Sequence, residues 1–298
     1  MNKQKILVVG SHGLLGTTLV NLLKEKGYEV TTSDVSDADG IDITKPESIA
    51  KHIERVKPDF LVNCAAYTNV EACEDPEQYK IAYAVNADGP RNLATECINK
   101  NVNFIHISTD YVFGDNDKEG YEESNRTFNP LNKYGETKLA GEKNIEMLRG
   151  CVEGSDYYSQ DPLFYVVRTS ALFGEGATNF IAKILQFAKE KEFLEVVTDE
   201  VVSPTYVKDL SEGILYLIEN QPKPGIYHYT GEGSCTRNEF AKEILRLAGI
   251  NTPVKPTTLD KFNRKAKIPN ISILKNTKFL KIRTWKEMLS DFMSNKNL

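Results

Sequence analysis

Short apolar runs rich in β-branched residues alternate with amphipathic segments along the first two-thirds of the chain. Runs of the first kind are typical of strands buried on both faces, and a helix between two strands makes the crossover that a parallel sheet needs. The predicted strands are residues 5–9, 29–33, 59–63, 103–108, 163–168 and 194–197. The pattern therefore predicts an α/β fold with a doubly wound parallel sheet covered by helices.

The intervals between these strands have helical periodicity, and prolines lie near the start of two of them. The predicted helices are residues 14–26, 46–56, 76–101, 131–149, 179–191 and 207–220. After residues 221–225 the alternation ends, and a strand at 226–230, a helix at 236–247 and a final helix near Trp285 follow. We expect this last part to form a smaller C-terminal α/β lobe, with Trp285 in its packing.

The composition is that of an ordinary globular protein, with 298 residues, 40% of them hydrophobic, and a net charge of −5. A net negative charge argues against nucleic acid or an anionic membrane as a partner. The cysteines are scattered without CxxC spacing and the histidines are dispersed, so neither a disulfide framework nor a metal site is expected. The first apolar run, residues 6–9, is too short for a signal peptide or a membrane span. We expect a cytoplasmic protein.

A glycine-rich loop, Gly10-Ser11-His12-Gly13-Leu14-Leu15-Gly16, joins the first predicted strand to the first predicted helix. Glycines there allow a tight turn and close approach of the backbone to a pyrophosphate, which the helix N-terminus then favours electrostatically. The loop indicates a Rossmann-like dinucleotide-binding sheet. Its candidate cofactor contacts are Gly10, His12, Gly13, Leu14, Leu15 and Gly16. We expect residues 1–170 and 195–222 to form the dinucleotide-binding domain, and residues 171–194 and 223–298 the substrate-binding lobe.

Acidic residues follow the second predicted strand. Asp34 ends that strand, where a carboxylate can bond the adenosine ribose hydroxyls and repel a 2′-phosphate, which favours NADH over NADPH. The alternative is a solvated turn residue. Asp42 and Ile43 lie where they could flank the adenine, and the alternative for Asp42 is a capping or turn role.

Two other predicted strands end in small or hydroxyl residues. Since ligands of open α/β sheets collect at the carboxyl ends of strands, Ala65 and Ala66 are expected where the backbone passes close to a cofactor. Ser108 or Thr109 would hold a substrate carbonyl oxygen, or would instead satisfy backbone groups in the turn. His106 lies inside the strand, and we expect a structural role for it.

Tyr134 and Lys138 are four residues apart in a predicted helix, so their side chains lie on one face. A nearby ammonium lowers a tyrosine pKa from its reference of about 10, which would help the phenol exchange a proton with a carbonyl or an alcohol. The spacing alone is weak evidence, because many surface helices share it.

Gly135 and Gly141 each cost the helix about 1 kcal/mol relative to alanine, so we expect close approach of a ligand or a neighbouring element to offset that cost.

Together these motifs resemble the dTDP-4-dehydrorhamnose reductase family of the extended short-chain dehydrogenase/reductases. The resemblance runs from Lys5 to about residue 260. It is carried by Ala65-Ala66-Tyr67-Thr68-Asn69-Val70-Glu71, Val85-Asn86, Ser108-Thr109-Asp110-Tyr111-Val112-Phe113, Tyr134-Gly135-Glu136-Thr137-Lys138-Leu139-Ala140-Gly141-Glu142, Val167-Arg168-Thr169-Ser170, Ser203-Pro204-Thr205-Tyr206 and Gly225-Ile226-Tyr227-His228.

The resemblance implies a reductase that uses NADPH or NADH and acts on a nucleotide-linked 4-keto-6-deoxy sugar, above all dTDP-4-dehydro-L-rhamnose. It implies a catalytic trio in which Tyr134 protonates the C4 oxygen, Lys138 bonds the nicotinamide ribose and biases the tyrosine, and Thr109 polarises the carbonyl. The implied cofactor contacts also include Ala65, Ala66, Tyr67, Tyr134 and Lys138. The implied substrate contacts are Thr68, Val70, Thr109, Asp110 and Ser170.

Several positions depart from the family pattern. Ala171 follows Ser170 where the family often has tryptophan, and Glu200 and Val202 replace a glutamine and a glycine. Ile268 replaces an arginine. Thr17 and Thr18 follow the glycine loop where some relatives carry a glutamate that binds Mg²⁺ between subunits, so that metal is not expected. Residues 150–161 are expected to form a surface loop longer than the family norm.

These departures leave alternatives open. Another nucleotide-linked keto-sugar could be the substrate. An epimerase or dehydratase with tightly held NAD⁺ and a non-catalytic, NADP-binding regulatory subunit are the rival functions. The oligomeric state is also open, and a homodimer is one alternative.

Overall fold

The computed structural model describes residues 4–114, 119–149, 162–176 and 179–295. Within them, a parallel sheet has six strands in the spatial order β10-β5-β4-β3-β1-β2. These strands are β1 (Lys5–Val9), β2 (Glu29–Ser33), β3 (Phe60–Asn63), β4 (Asn103–Thr109), β5 (Phe164–Thr169) and β10 (Gly225–His228). The predicted α/β class and the doubly wound parallel sheet are confirmed, and the expected loop at residues 150–161 lies outside the described residues.

Helices cover both faces of this sheet, as the apolar strands require. Along β1, Ile6 and Val8 pack into one buried cluster and Leu7 and Val9 into the other. The first cluster includes α1 (Leu14–Glu25) and α7 (Val207–Asn220), whereas the second includes α2 (Pro46–Val56), α4 (Gly89–Lys100) and α5 (Lys133–Arg149). Because successive side chains of a strand point to opposite faces, an unbroken apolar run needs a helical layer on each side.

The edge strand beside β5 differs from the prediction. It is β10, whereas β7 (Leu194–Val197) pairs with β12 (Val254–Thr257) in a separate two-stranded parallel sheet. Placing residues 194–197 in the main sheet, and the strand near residue 226 outside it, was therefore wrong. A four-residue apolar run does not specify its partner. The chain returns to the main sheet only after α7, which packs on α1, so β10 and not β7 lies beside β5. The bounds of the two lobes stay a prediction.

Shorter elements build the part of the chain that faces the carboxyl ends of the main strands. β6 (Leu172–Phe173) pairs with β9 (Thr205–Tyr206), and β8 (Val201–Val202) pairs with β11 (Cys235–Thr236). Three helices pack with them: α6 (Phe180–Glu190), α8 (Arg237–Leu247) and α9 (Trp285–Ser294). Trp285 is buried in this core, as expected. No helix within the described ranges is both long enough and apolar enough to span a membrane.

The helix predicted over residues 76–101 is interrupted. α3 (Pro76–Tyr83) continues into a π-helical turn, Ala84–Asp88, before α4 begins. Pro90 has no N–H to donate, so the regular α-helical ladder cannot continue through this point. The side chain of Asn86 in this turn accepts from the Tyr67 N–H (2.9 Å) and donates to the Tyr67 carbonyl (3.0 Å) and to Thr137 Oγ1 (3.0 Å). The turn thereby ties the loop after β3 to α5.

Candidate active site

Two glycines of the loop after β1 are sterically required. Gly10 has a φ of +76°, and a Cβ there would lie 2.5 Å from the Ala65 nitrogen. At Gly16 a Cβ would lie 2.2 Å from the Gly10 carbonyl oxygen. Gly13 has ordinary space around it and precedes α1 without a side-chain cap, which leaves the helix N–H groups available to an anion. The hydroxyl of Ser11 is buried without a hydrogen-bond partner among the described residues. This cradle fits a pyrophosphate.

Asp34 lies at the end of β2, beside the glycine loop. Its carboxylate accepts hydrogen bonds from the His12 N–H (3.3 Å) and from the N–H (3.1 Å) and hydroxyl (2.8 Å) of Ser36. Partial burial opposes ionisation, but these hydrogen bonds outweigh it and the pKa of Asp34 is lowered. A carboxylate beside the glycine loop is therefore ionised at neutral pH. Asp42 accepts from the N–H and hydroxyl of Thr44, which is the geometry of the alternative turn role.

A cavity of 610 Å³ extends from the glycine loop to the lobe built around α6 and α8. The predicted site residues that line it are Gly13, Leu14, Leu15, Gly16, Ala66, Thr68, Thr109, Asp110, Tyr134, Lys138 and Ser170. The predicted residues that do not line it are Gly10, His12, Asp34, Asp42, Ile43, Ala65, Tyr67 and Val70. The lining also contains residues that sequence reasoning missed, among them Cys64, Thr169, Phe180, Arg237 and Phe240.

The helix α5 is held against its neighbours at two glycines. A Cβ at Gly135 would lie 2.2 Å from the Tyr111 carbonyl oxygen, and one at Gly141 would lie 2.2 Å from that of Asn86. The expected close approach at these glycines is confirmed, and the neighbour is backbone in both cases. A buried ion pair adds to this docking, because the Arg168 guanidinium of β5 binds the Glu142 carboxylate through Nε (2.9 Å) and Nη2 (2.6 Å). The position of Tyr134 and Lys138 over the sheet follows from these contacts.

Lys138 is buried in the wall of the cavity. Its Nζ donates to the Ile107 carbonyl oxygen (2.7 Å) and lies 3.4 Å from His106 Nε2. Burial lowers the pKa of Lys138 to about 8, although Glu142 and Cys64 act in the opposite direction. The ammonium is therefore charged at neutral pH but loses its proton readily.

His106 contacts this lysine and is itself oriented by Asn63. The side-chain oxygen of Asn63 accepts from the Ala65 N–H (3.1 Å), so its amide nitrogen faces His106 Nδ1 (3.1 Å). Since that amide donates, His106 Nδ1 accepts and Nε2 carries the ring proton. Nε2 and the Lys138 ammonium are then both donors, so their 3.4 Å approach is not a hydrogen bond. Burial and the Lys138 charge hold the pKa of His106 well below its ordinary value. The histidine expected to be structural is thus a neutral neighbour of Lys138.

Tyr134 does not have the lowered pKa that its spacing from Lys138 suggested. Burial raises the pKa of Tyr134, the charge of Asp110 raises it further, and an interaction with the Thr109 hydroxyl only partly offsets them. The expectation of a lowered pKa is therefore wrong for the chain by itself, because loss of solvent is the largest effect on this phenol. Tyr134 is protonated at neutral pH, as a proton donor must be.

Asp110 accepts hydrogen bonds from hydroxyl groups at the same end of the cavity. Its Oδ1 accepts from Thr109 Oγ1 (2.9 Å) and its Oδ2 accepts from Ser170 Oγ (2.8 Å). Burial raises the pKa of Asp110, while bonds from the hydroxyls of Ser272, Ser170 and Thr109 lower it. Asp110 is almost fully buried, so its geometry suits positioning these hydroxyls more than direct contact with a substrate.

Two further hydroxyls of the lining lack partners. Ser108 and Thr169 are buried, and their side-chain oxygens make no hydrogen bond within the described residues. They belong to the neighbouring strands β4 and β5, where Thr169 pairs in register with Thr109, the residue after Ser108. Buried polar groups are normally hydrogen-bonded, so this wall suits a polar ligand. The glycine cradle at one end and these hydroxyls at the other fit a dinucleotide with a second polar molecule beside it.

Comparison with known proteins agrees with this geometry. A family model described as the RmlD substrate binding domain matches residues 4–297. The chain belongs to this family. The resemblance expected from the motifs is thereby confirmed.

Individual relatives of this family match along nearly their whole length. A Bacillus subtilis spore coat polysaccharide biosynthesis protein is 32% identical over 98% of both chains. The crystal structure of a dTDP-4-dehydrorhamnose reductase from Clostridium acetobutylicum is 38% identical, with a TM-score of 0.87 over 97% of this chain and 98% of the other. That of a Bacillus anthracis dTDP-4-dehydrorhamnose reductase in complex with NADP is 32% identical, with a TM-score of 0.89 over 99% of this chain and 100% of the other.

Proposed function

We propose that this protein is an NAD(P)H-dependent reductase that converts dTDP-4-dehydro-L-rhamnose to dTDP-L-rhamnose. The observation that carries the proposal is the meeting of Thr109, Tyr134 and Lys138 in one cavity whose far end is a glycine cradle. Relatives named as dTDP-4-dehydrorhamnose reductases, 33% identical over 97% and 96% of this chain, support the substrate.

The cofactor is NADPH or NADH, and the reduced nicotinamide supplies a hydride to the carbonyl carbon when it is bound. The residues of this chain fit such a group. Gly10 and Gly16 let the loop pack closely on neighbouring backbone, and the uncapped start of α1 at Gly13 is open to the pyrophosphate. Lys138 provides an ammonium for a ribose hydroxyl, and Asp34 provides a carboxylate at the adenosine end.

Tyr134 gives its proton to the C4 oxygen. Its raised pKa keeps that proton in place until a developing alkoxide accepts it. The Lys138 ammonium then stabilises the phenolate that remains. Thr109 assists by donating to the same oxygen, which requires its hydroxyl to turn away from Asp110. The ketone gains one hydride and one proton and becomes an alcohol.

A cofactor-consumption screen tests this function. The purified protein is mixed with NADPH or NADH and with dTDP-, GDP- or UDP-linked 4-keto-6-deoxy sugars, and loss of the reduced cofactor is followed by absorbance. We expect turnover with the dTDP-linked sugar. Stoichiometric NAD⁺ retained through purification, with no net consumption of reduced cofactor, would instead indicate an epimerase or dehydratase. A chain that binds NADPH but consumes none with any of these sugars would be a binding subunit.

A further inference from the structure

The cavity contains a cation that the proposed chemistry does not use. Of the lining residues that the structure describes, Lys138 and Arg237 carry a positive charge. Lys138 is at the proton-donating end, where Ile107 already accepts one of its hydrogen bonds. Arg237 begins α8 in the opposing lobe, and its side chain is 18% exposed.

Glu200 and Phe180 fix the orientation of the Arg237 guanidinium. Its Nε donates to Glu200 Oε1 (2.8 Å), its backbone N–H donates to the Glu200 carbonyl oxygen (3.0 Å), and it lies over the ring of Phe180 at 5.1 Å. Its Nη1 and Nη2 make no hydrogen bond to another residue that the structure describes. Four N–H donors are therefore available on a group whose orientation is already fixed.

The reacting end of the cavity is nearby. Arg237 lines the same cavity as Asp110 and Tyr134, and the Asp110 carboxylate raises the pKa of Arg237. The ring of Tyr111 lies 6.0 Å from that of Tyr134. In a nucleotide-linked sugar the diphosphate is attached at C1, on the opposite side of the ring from C4. A sugar whose ketone meets Tyr134 therefore places its diphosphate one ring away, in the direction of the opposing lobe.

We propose that Arg237 binds the diphosphate of the nucleotide-linked substrate through its two terminal nitrogens. This rests on the proposed function for the class of substrate. A planar guanidinium matches phosphate oxygens bidentately, and its Glu200 partner fixes the plane in which it presents these donors. The fully buried Lys138 belongs to the reaction centre. Arg237 therefore supplies the positive charge that an anionic substrate needs in this acidic protein.

The competing explanation is that the Arg237–Glu200 pair only fastens α8 to the segment before β8. Calorimetry on the NADPH-saturated protein, with dTDP and thymidine as probes, separates the two. Because truncating one partner of a buried charge-assisted contact costs about 2–5 kcal/mol, Arg237→Met should weaken dTDP binding by about 30-fold or more. Thymidine, which lacks the diphosphate, should bind within about threefold of its original affinity.

Three companion variants complete the experiment. Arg237→Lys keeps the charge and should recover part of the dTDP affinity. Glu200→Gln removes the negative charge but keeps an oxygen that can accept from Arg237 Nε, so the guanidinium stays oriented and dTDP should bind at least as well as before. Arg246→Met is the matched control, since Arg246 lies on the same helix and pairs with Glu243 on the exposed side. It should change nothing.

Specific outcomes overturn the proposal. They are dTDP binding by Arg237→Met within threefold of the original, an equal loss of thymidine affinity, or the same loss of dTDP affinity in Glu200→Gln. If Arg237→Met no longer binds NADPH it has misfolded, and the comparison of Arg237→Lys with Glu200→Gln then decides. Tight dTDP binding without reduction of any keto-sugar would contradict the proposed function while leaving Arg237 as the diphosphate ligand.

Discussion

The Thr109 hydroxyl lies 2.9 Å from the Asp110 carboxylate and donates its one proton to it. The same oxygen accepts the Tyr111 N–H at 3.2 Å. The Thr109 hydroxyl therefore already donates one hydrogen bond and accepts another within the chain. It can polarise a substrate carbonyl only if it donates its proton to the substrate oxygen in place of Asp110. Asp110 thus fixes the position of the hydroxyl, and it loses one of its bonds when that hydroxyl turns.

Thr109→Val should lower kcat/KM by about 100-fold, the effect expected from loss of one donor to a developing oxyanion. Thr109→Ser keeps the hydroxyl and should lose less than about tenfold. Steady-state kinetics with the keto-sugar measure both, and NADPH affinity should be unchanged in each. Equal activity in the Val and Ser variants would show that the Thr109 hydroxyl takes no part in the mechanism.

Tyr134→Phe should lower kcat by about 100- to 10,000-fold, the range for loss of a general acid. Cofactor affinity should change little, because the ring remains and only the hydroxyl is lost. Tyr79→Phe is a control, since Tyr79 lies on α3 and does not line the cavity. Near-normal turnover in Tyr134→Phe would contradict the assigned proton donor.

The activity should fall as the pH rises through about 8. Burial lowers the pKa of Lys138 to about 8, so the charged form that supports the phenolate is present below that pH and is lost above it. The groups that face this ammonium are Glu142, Cys64 and the neutral His106. The pH profile of kcat/KM, which reports ionisations of the free enzyme, should show this descending limb. In Lys138→Arg, whose charge does not titrate in this range, the limb should be absent even if activity is lower.

Asp34→Ala should shift the choice of cofactor toward NADPH. The ionised carboxylate at the end of β2 repels a 2′-phosphate, and two unit charges about 4 Å apart in water interact by about 1 kcal/mol, or about fivefold. The ratio of the KM values for NADPH and NADH, compared before and after substitution, measures the shift. An unchanged ratio would show that Asp34 does not select the cofactor.

Glu142→Gln should lower the free energy of unfolding by about 3–5 kcal/mol, because the fully buried Arg168 guanidinium loses its counter-charge. Glu243→Gln removes an exposed pair with Arg246 and should cost less than about 1 kcal/mol. Urea titration of both variants measures the difference. Equal stabilities would mean that the buried pair contributes no more than a surface pair.

Local features of the fold were predictable from the sequence. The first five strands of the sheet lie within one residue of their predicted bounds, because buried strands in a parallel sheet leave an unbroken apolar run. The glycines of α5 indicated close neighbours, and backbone carbonyls lie there. The pairing of β7 with β12 was missed, since it depends on a partner distant in sequence. The π-helical turn at Asn86 was also missed, although the nearby Pro90 marks the interruption of the helix.

The sequence by itself determined the layered α/β fold, the glycine cradle and the shared face of Tyr134 and Lys138, because each follows from local periodicity or local sterics. Only the tertiary structure decided how these groups ionise. Burial raises the pKa of Tyr134 and lowers that of Lys138, and loss of solvent is a property of the packed chain. The tertiary structure also brought Arg237 into the same cavity as Tyr134, since nothing in the sequence around residue 237 specifies which surface α8 faces.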